Sequence, residues 1–246
     1  EECEPDGVDN DCDGETDEDE DFDGDGWTRC GGDCCDHPSQ HCAEDPALVN
    51  PGAYDFPGNE LDDDCNGTED DAATDSCSDW PVTSGTTAEH LVRAMDLCQF
   101  TLGNTDIWGV TEAQLLQSNG SGAPQDIQVG VLESLGSVVP AVYNTTMAVL
   151  SSGEGRGVGD TGYTGSTGYQ ATSFPISPPT DYLNAHGGQL QTMGSCPSSE
   201  TSIYDSAMLR VKLRVPTNAQ GFEFSFRFFS HEYPVYLCTM YNDFFL

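Results

Sequence analysis

The sequence predicts a mainly β protein in two parts: a loop-rich, disulfide-stabilised segment over residues 1–79, then an antiparallel β-sandwich with one or two short helices over residues 80–246. Three observations predict this. Acidic residues are concentrated at one end, because 29 of the 43 Asp and Glu residues precede residue 80. Eight of the eleven cysteines share that segment. Beyond residue 80, apolar and polar residues alternate in runs that are typical of half-buried strands.

Charge and hydropathy exclude two classes of interaction. With 43 acidic and 7 basic residues, the 246-residue chain has a formal charge of −36, which repels nucleic acid. No run approaches the roughly 18 apolar residues that a membrane-spanning helix needs. We therefore expect no nucleic-acid partner and no transmembrane segment in this sequence.

The cysteine density of the first segment predicts disulfides. A segment with so few large apolar residues cannot bury enough surface to fold unaided, and small extracellular domains compensate with disulfides. We therefore expect a secreted protein, extracellular or at the outer cell surface. The second segment contains Cys98, Cys196 and Cys238. This odd number predicts one pair plus a cysteine that is free or has its partner outside this sequence.

The clearest acidic run begins at Asp9 and fits the pattern D-x-D-x-D-G-x5-E. Ca²⁺ prefers about six to eight oxygen ligands, and such a loop supplies them from positions 1, 3, 5, 7, 9 and 12, with a backbone carbonyl at position 7. Gly14 allows the sharp turn that the loop requires. The predicted ligands are Asp9, Asp11, Asp13, the carbonyl of Glu15, Asp17 and Glu20.

Two further runs repeat the pattern incompletely. Position 12 is Gly32 in the second run, so its last ligands must come from a longer loop, and Ala73 in the third. The second run's predicted ligands are Asp21, Asp23, Asp25, Trp27 through its carbonyl, Asp33 and Asp36. The third run superposes on the first at an offset of 53 residues, which is an internal repeat. Its predicted ligands are Asp62, Asp64, Asn66 and Asp70. Amphipathic helices do not flank these runs, so bound Ca²⁺ and disulfides are predicted to replace a core.

Three other interpretations of the acidic segment stay open. It could be a disordered acidic tract, a salt-adapted surface, or a transition-metal site that combines histidines with soft cysteine ligands. Cysteines within the acidic runs argue against disorder, and the concentration of charge in one segment argues against salt adaptation. The transition-metal candidates are His37, His41, Cys30, Cys34, Cys35 and Cys42. In an oxidising location those cysteines are expected to form disulfides instead.

Three stretches of the acidic segment resemble the tandem "putative metal-binding motif" repeats of secreted proteins from myxobacteria and other deltaproteobacteria. They are CEPDGVDNDCDGETDE from Cys3, DFDGDGW from Asp21 with Asp33 and Asp36, and PGAYDFPGNELDDDCNG from Pro51. The resemblance covers residues 1 to about 75. It implies divalent-cation binding and favours Ca²⁺, because no residue here matches the copper motif of the family's namesake.

The second segment begins with a predicted helix. Thr86 and Glu89 have the spacing of a capping box, and apolar residues then recur at helical spacing, which predicts a helix over about 87–98. Apolar alternation at 127–131 and the apolar run at 147–150 indicate strands. The Gly-, Ser- and Thr-rich stretch from Ser151 to Tyr169 is predicted to be a long loop.

The strongest strand pattern comes late in the chain. Apolar residues alternate with Arg and Lys over 209–215, and phenylalanine alternates with polar residues over 222–228, on either side of Pro216-Thr217-Asn218. This predicts two antiparallel strands, with the four phenylalanines facing a core and the cationic side chains paired across the sheet. A single helix with several such strands favours a β-sandwich.

The second segment is also similar to the choice-of-anchor L domain of bacterial surface proteins. The similarity rests on MAVLSSG from Met147, MLRVKLRVPTNAQGFEFSFRFF from Met208, and the Ser-x-Glu-Tyr-Pro and Asn-Asp elements of the tail. It covers roughly residues 86–246 and implies an extracellular β-rich module linked to alternative sorting anchors. Here we expect that module to be C-terminally incomplete.

These patterns give three hypotheses for function. The first is a secreted bacterial surface protein in which Ca²⁺-binding repeats form a rigid spacer for the β-sandwich, without catalysis. Ser230, His231 and Glu232 are neighbours on an expected strand and would point to alternate faces, so they cannot form a catalytic relay. The second hypothesis is scavenging or storage of a transition metal such as copper. The third is an adhesin for glycan or another cell surface, with candidate residues Trp108, Tyr163, Tyr169 and Tyr182.

Overall fold

The computed structural model describes residues 3, 19–36, 42–70, 77, 82–103, 105–142, 145–165, 175–190, 196, 202–230, 234–236, 243 and 245. In this part of the chain, strands outnumber helices, as predicted. The helices are α1 (Ala88–Ala94) and α2 (Thr180–Ala185), with short 3-10 helices at Pro46–Leu48 and Asp126–Gln128. The strands are β1 (Gly109–Leu116), β2 (Val129–Leu132), β3 (Ser134–Leu135), β4 (Val139–Pro140), β5 (Met147–Leu150) and β6 (Met208–Arg214). None of the described helices is long and apolar enough to cross a membrane.

The strands pair into three two-stranded sheets, β1 with β6, β2 with β5 and β3 with β4. The predicted β-sandwich therefore stays a prediction. The chain also divides into two compact units, each built from separated segments. Unit 1 comprises Glu1–Trp80, Leu97–Glu112 and Lys212–Phe222, and unit 2 comprises Pro81–Asp96, Ala113–Val211 and Glu223–Leu246. The domain boundary at residues 79/80 also stays a prediction.

Unit 2 is built around helix α1 and the β2–β5 sheet. The helix begins one residue later than predicted, because the Thr87 side chain, and not that of Thr86, accepts a hydrogen bond from the His90 N–H at 3.2 Å. It ends at Ala94 and not near Cys98, since Asp96 adopts a left-handed φ of 66° that a helix cannot continue through. The buried apolar cluster of this unit contains Leu91, Ala94, Val129 and Val131.

Strands β2 and β5 confirm the apolar patterns around residues 127–131 and 147–150. They pair antiparallel with Val129 opposite Leu150 and Leu132 opposite Met147. Gly130 is required at its position, since an added Cβ would lie 2.0 Å from the carbonyl oxygen of Gly155. The predicted long loop is confirmed over residues 151–165, which contain neither helix nor strand.

Strand β6 confirms the prediction for 209–215, but its partner is β1 and not the phenylalanine-rich stretch. Cationic side chains of β6 do find partners across the sheet, as expected: Lys212 forms a salt bridge with Glu112, and Arg210 donates to Gln114. The predicted strand over 222–228 is wrong. Residues 222–230 do not form a strand, and their phenylalanines are 48–79% exposed. Apolar–polar alternation indicates which side chains share a face of a strand. It does not show whether another element covers that face.

The described interior of unit 1 is mostly polar. Its buried apolar residues are few and small, whereas four carboxylates and two amides are also buried. The buried polar residues are Asp33, Asp36, Asn50, Asp55, Asp63 and Asn218. Burying so many carboxylates is costly unless each is hydrogen-bonded or paired with a cation. This unit is therefore the place to look for a charged ligand.

Candidate metal site

Disulfides hold the two described acidic loops together. The adjacent Cys34 and Cys35 bond to different partners: Cys34 to Cys65, 31 residues on, and Cys35 to Cys42. The first of these bonds links the loop at 21–36 to the loop at 62–70. A third bond joins Cys30, within the 21–36 loop, to Cys3.

The cysteine pairing also corrects one expectation. Cys98 bonds to Cys77, so a cysteine of the second segment pairs with one of the first. Cys196 is disulfide-bonded as well. A count of cysteines within each segment cannot reveal a bond that crosses the compositional boundary.

The loop at 21–36 begins with a tight acidic turn. Asp21 accepts hydrogen bonds from the N–H groups of Gly24 at 2.6 Å and Gly26 at 2.9 Å. Asp23 accepts from the Asp25 N–H, and Asp25 from the Trp27 N–H at 2.7 Å. Each carboxylate is thus fixed by the backbone two to five residues later, a local arrangement that Asp favours in turns.

Asp33 and Asp36 return to this turn and complete two acidic groups. In one group Asp36 joins Asp21 and Asp23, and in the other Asp33 joins Asp23 and Asp25. Within each group one ligand oxygen from every residue lies within 4.8 Å of the others. Asp36 is anchored by the Phe22 N–H at 2.8 Å, and Asp33 by the Cys35 N–H at 2.8 Å. These are the six-residue set predicted for the second run, apart from the carbonyl of Trp27.

Burial makes the second group costly without a cation. Asp33 is 3% exposed, and its Oδ2 has no hydrogen-bond partner; Oδ2 of Asp23 is likewise buried and unpartnered. Loss of hydration, with repulsion from neighbouring carboxylates, raises the pKa of Asp33 to about 6 and raises the pKa values of Asp23 and Asp25. None of the salt bridges among the described residues reaches these carboxylates.

A buried asparagine fixes Asp25 from outside the loop. Asn50 is fully buried, and its amide nitrogen donates to Oδ2 of Asp25 at 2.7 Å. Its amide oxygen accepts from the Gly52 N–H at 3.0 Å and from the Thr217 hydroxyl at 2.7 Å. The same late segment is held by Asn218, whose side chain exchanges two 2.9 Å hydrogen bonds with the backbone of Tyr54. Residues 217 and 218 therefore brace the acidic loop.

The loop at 62–70 repeats the same turn. Asp62 accepts from the N–H groups of Asn66 and Gly67, Asp64 accepts from Asn66, and Asn66 accepts from the Thr68 N–H at 3.0 Å. Gly67 has φ 94°, matching the 95° of Gly26. The second and third runs thus share a backbone turn, while the first run, on which the predicted repeat rests, lies outside the described residues.

The third run nevertheless gathers no described group of three acidic side chains. Asp70 instead accepts three hydrogen bonds at its Oδ1, from the N–H groups of Gly58, Asn59 and Glu60 at 2.7–3.2 Å. Asp63, which was not among the predicted ligands, is buried and accepts from the Phe56 N–H and the Asn59 side chain. Cation binding at this run stays a prediction.

The remaining predicted residues have mixed outcomes. Asp9, Asp11, Asp13, Glu15 and Asp17 lie outside the described residues, as do His37, His41 and Tyr169. Glu20 is described and exposed, and it joins neither acidic group. Cys30, Cys34, Cys35 and Cys42 are all in disulfides and are not available as thiolate ligands.

Sequence reasoning missed the residues that support the loop. Asn50 and Thr217 carry no local pattern, and only their tertiary proximity identifies them. Asp19 was also missed: it accepts from the Thr28 hydroxyl and the Cys30 N–H and so holds the turn before Cys30. Its position just ahead of the D-x-D-x-D run was the available signal.

The geometry defines a class of site: closely spaced, partly buried carboxylates on a disulfide-held loop, suited to a hard divalent cation. A family model described as "Putative metal-binding motif", Cu-binding_MopE, matches residues 1–18 and 42–71. The N-terminal part of the chain thus carries a metal-binding motif similar to that family, on either side of the 21–36 loop. Neither a curated protein nor a solved structure matches the chain.

Proposed function

We propose that this chain is a secreted bacterial surface protein whose acidic loops bind Ca²⁺ and so act as a rigid, non-catalytic spacer for an extracellular β-rich module of the choice-of-anchor L kind. One observation carries the proposal: Asp33 is buried with an unpartnered oxygen, and its carboxylate groups with those of Asp23 and Asp25, one oxygen of each lying within 4.8 Å of the others. A divalent cation supplies the charge and the ligand bonds that this carboxylate lacks.

The donor set favours Ca²⁺ over copper. Carboxylate oxygens are hard ligands that suit Ca²⁺, whereas copper prefers imidazole and sulfur. The name of the matching family model points towards copper, so copper is the comparison that the test must include. The described cysteines near the loop are oxidised, which leaves oxygen and the imidazoles of His37 and His41 as ligand atoms there.

Calorimetric titration of the full, oxidised, cation-free chain with Ca²⁺, Mg²⁺ and Cu²⁺ tests the proposal. We expect saturable Ca²⁺ binding that Asp33→Asn weakens at least tenfold and that Asp45→Asn leaves unchanged, since Asp45 is exposed and its side chain caps nothing. Tight Cu²⁺ binding with only diffuse Ca²⁺ binding would replace this proposal with the metal-scavenging alternative.

The spacer role predicts a mechanical consequence. Bound cations cross-link residues 21, 23, 25, 33 and 36, so Ca²⁺ should stiffen this stretch and protect it from cleavage. Limited proteolysis with and without Ca²⁺, with cleavage sites mapped by mass spectrometry, should show protection within 19–36. Equal cleavage in both conditions would contradict a stiffening role.

A further inference from the structure

We propose that the loop at 21–36 binds two divalent cations that share the carboxylate of Asp23. This inference rests on the proposed cation-binding function and specifies its stoichiometry. The five carboxylates do not form one group: Asp36 joins Asp21 and Asp23, while Asp33 joins Asp23 and Asp25. Asp23 is common to both groups.

The spacing of each group fits one ion. Ca²⁺ binds oxygen at about 2.3 to 2.6 Å, so two ligands on opposite sides of one ion are at most about 5 Å apart. The ligand oxygens of each group lie within 4.8 Å of one another. Each group therefore fits around its own cation, with backbone carbonyls or water completing the coordination.

A second observation, independent of the clustering, supports the cation position formed by Asp23, Asp25 and Asp33. Asp33 is 97% buried, since only 3% of it is exposed, and its Oδ2 has no hydrogen-bond partner. Asp23 Oδ2 is buried and unpartnered as well, while its Oδ1 accepts from the Asp25 N–H at 3.2 Å. A carboxylate can coordinate two ions through one or both of its oxygens, and Asp23 belongs to both groups.

Charge balance also favours two ions. Five carboxylates carry a formal charge of −5, so one divalent cation leaves −3 in the loop and two leave −1. Like charges a few ångströms apart repel strongly when they are partly removed from water. The second cation relieves most of the repulsion that the first leaves behind.

Counting bound ions tests the proposal. Equilibrium dialysis of the full, oxidised chain against ⁴⁵Ca²⁺ gives the ions per molecule, and variants assign them. Asp33→Asn and Asp36→Asn should each lose one ion, whereas Asp23→Asn and the double variant Asp33→Asn/Asp36→Asn should each lose two. Asp45→Asn removes the same charge at an exposed position and should lose none.

Two results would contradict the two-ion proposal or the proposed function. If no single or double variant loses more than one ion, the loop holds one cation and the shared-carboxylate proposal is wrong, while the proposed function stands. If the wild-type chain binds no Ca²⁺ saturably, the proposed function itself fails.

A measurement on the wild-type chain covers the case in which a variant misfolds. Tb³⁺ bound beside Trp27 is excited through the indole, and it transfers energy to Eu³⁺ only at short range. With mixed Tb³⁺ and Eu³⁺, we expect a shortened Tb³⁺ lifetime in the wild type. Asp33→Asn should retain Tb³⁺ emission but lose the shortening. An unshortened lifetime in the wild type would overturn the two-ion site.

Discussion

The two described acidic loops start alike and end differently. In both, the first Asp accepts a 2.9 Å hydrogen bond from the N–H of a glycine five residues on, and that glycine has φ near 95°. Yet the loop at 21–36 brings back two later carboxylates, Asp33 and Asp36, whereas the loop at 62–70 uses Asp70 to hold the turn at 58–60.

The difference teaches that the D-x-D-x-D/N-G run specifies a turn and not, by itself, a cation site. The turn depends on contacts within six residues, which both sequences supply. The acidic groups depend on where the chain goes afterwards, and the vicinal Cys34 and Cys35 fix that path between Asp33 and Asp36. Four predictions test this contrast.

Removing the bond between the loops should have the largest effect. For a loop of 31 residues, the chain-entropy model gives a loss of about 3–4 kcal/mol in the free energy of unfolding for Cys34→Ser/Cys65→Ser. The matched variant Cys35→Ser/Cys42→Ser opens a loop of only 7 residues and should cost about 2–2.5 kcal/mol. Denaturant unfolding without Ca²⁺ measures both. Equal losses in the free energy of unfolding would mean that the bond between the loops stabilises the chain no more than the short-loop bond does.

Paired glycine substitutions should separate the turn from the site. Gly26→Ala and Gly67→Ala each force a side chain into a left-handed conformation, at a cost of about 1–2 kcal/mol, and no neighbour lies within 4 Å of either added Cβ. Both variants should lose similar stability. Only Gly26→Ala should weaken Tb³⁺ emission excited through Trp27. A comparable weakening by Gly67→Ala would show that the third run contributes to the same site.

Lowering the pH should weaken Ca²⁺ binding at the carboxylates of the 21–36 loop. Because the pKa of Asp33 is raised to about 6, this group binds a proton that a cation must displace. Affinity for Ca²⁺ should be nearly constant above pH 7 and fall about tenfold between pH 7 and pH 5. Titrations in several buffers should detect proton release near pH 6. The cation-free chain should behave oppositely and lose stability as pH rises through 6.

The smallest effect is expected from loss of the hydrogen bond between Thr217 and Asn50. Thr217→Val keeps the shape of the side chain but removes the 2.7 Å hydrogen bond to Asn50, which should cost about 0.5–1.5 kcal/mol. Because Asn50 orients Asp25, the affinity for Ca²⁺ should fall a few-fold. Thr105→Val is a control within the same unit, since it also removes hydroxyl hydrogen bonds, to Thr101 and Leu102, but none to Asn50. Equal Ca²⁺ affinities in the two variants would show that Thr217 does not support the cation site.

Much of the fold follows from local pattern. The helix at 88–94, strands β2, β5 and β6, and the loop after residue 151 were predicted from periodicity and capping, since those signals act over a few residues. Strand β1 was missed because Gly109–Leu116 alternates imperfectly. The phenylalanines at 222–228 were wrongly predicted as a strand with a buried face, because alternation does not identify a strand partner or what would cover that face.

The site shows the same division. Asp21, Asp23 and Asp25 were predicted from spacing, and Asp33 and Asp36 from the need for late ligands, and the structure brings all five together. Disulfide pairing was not predictable, because cysteine counts allow many connectivities. Asn50 was not predictable either: its contacts reach 25 residues back to Asp25 and 167 forward to Thr217.

The two hydrogen bonds between Tyr54 and Asn218 span 164 residues of chain, and this has a consequence for the order of assembly. A ribosome makes the acidic loops well before residues 217 and 218, which hold Asn50 and Tyr54. Closing so long an excursion carries an entropic cost that local turns do not. The acidic loops therefore reach their finished state only after residues 217 and 218 have been synthesised.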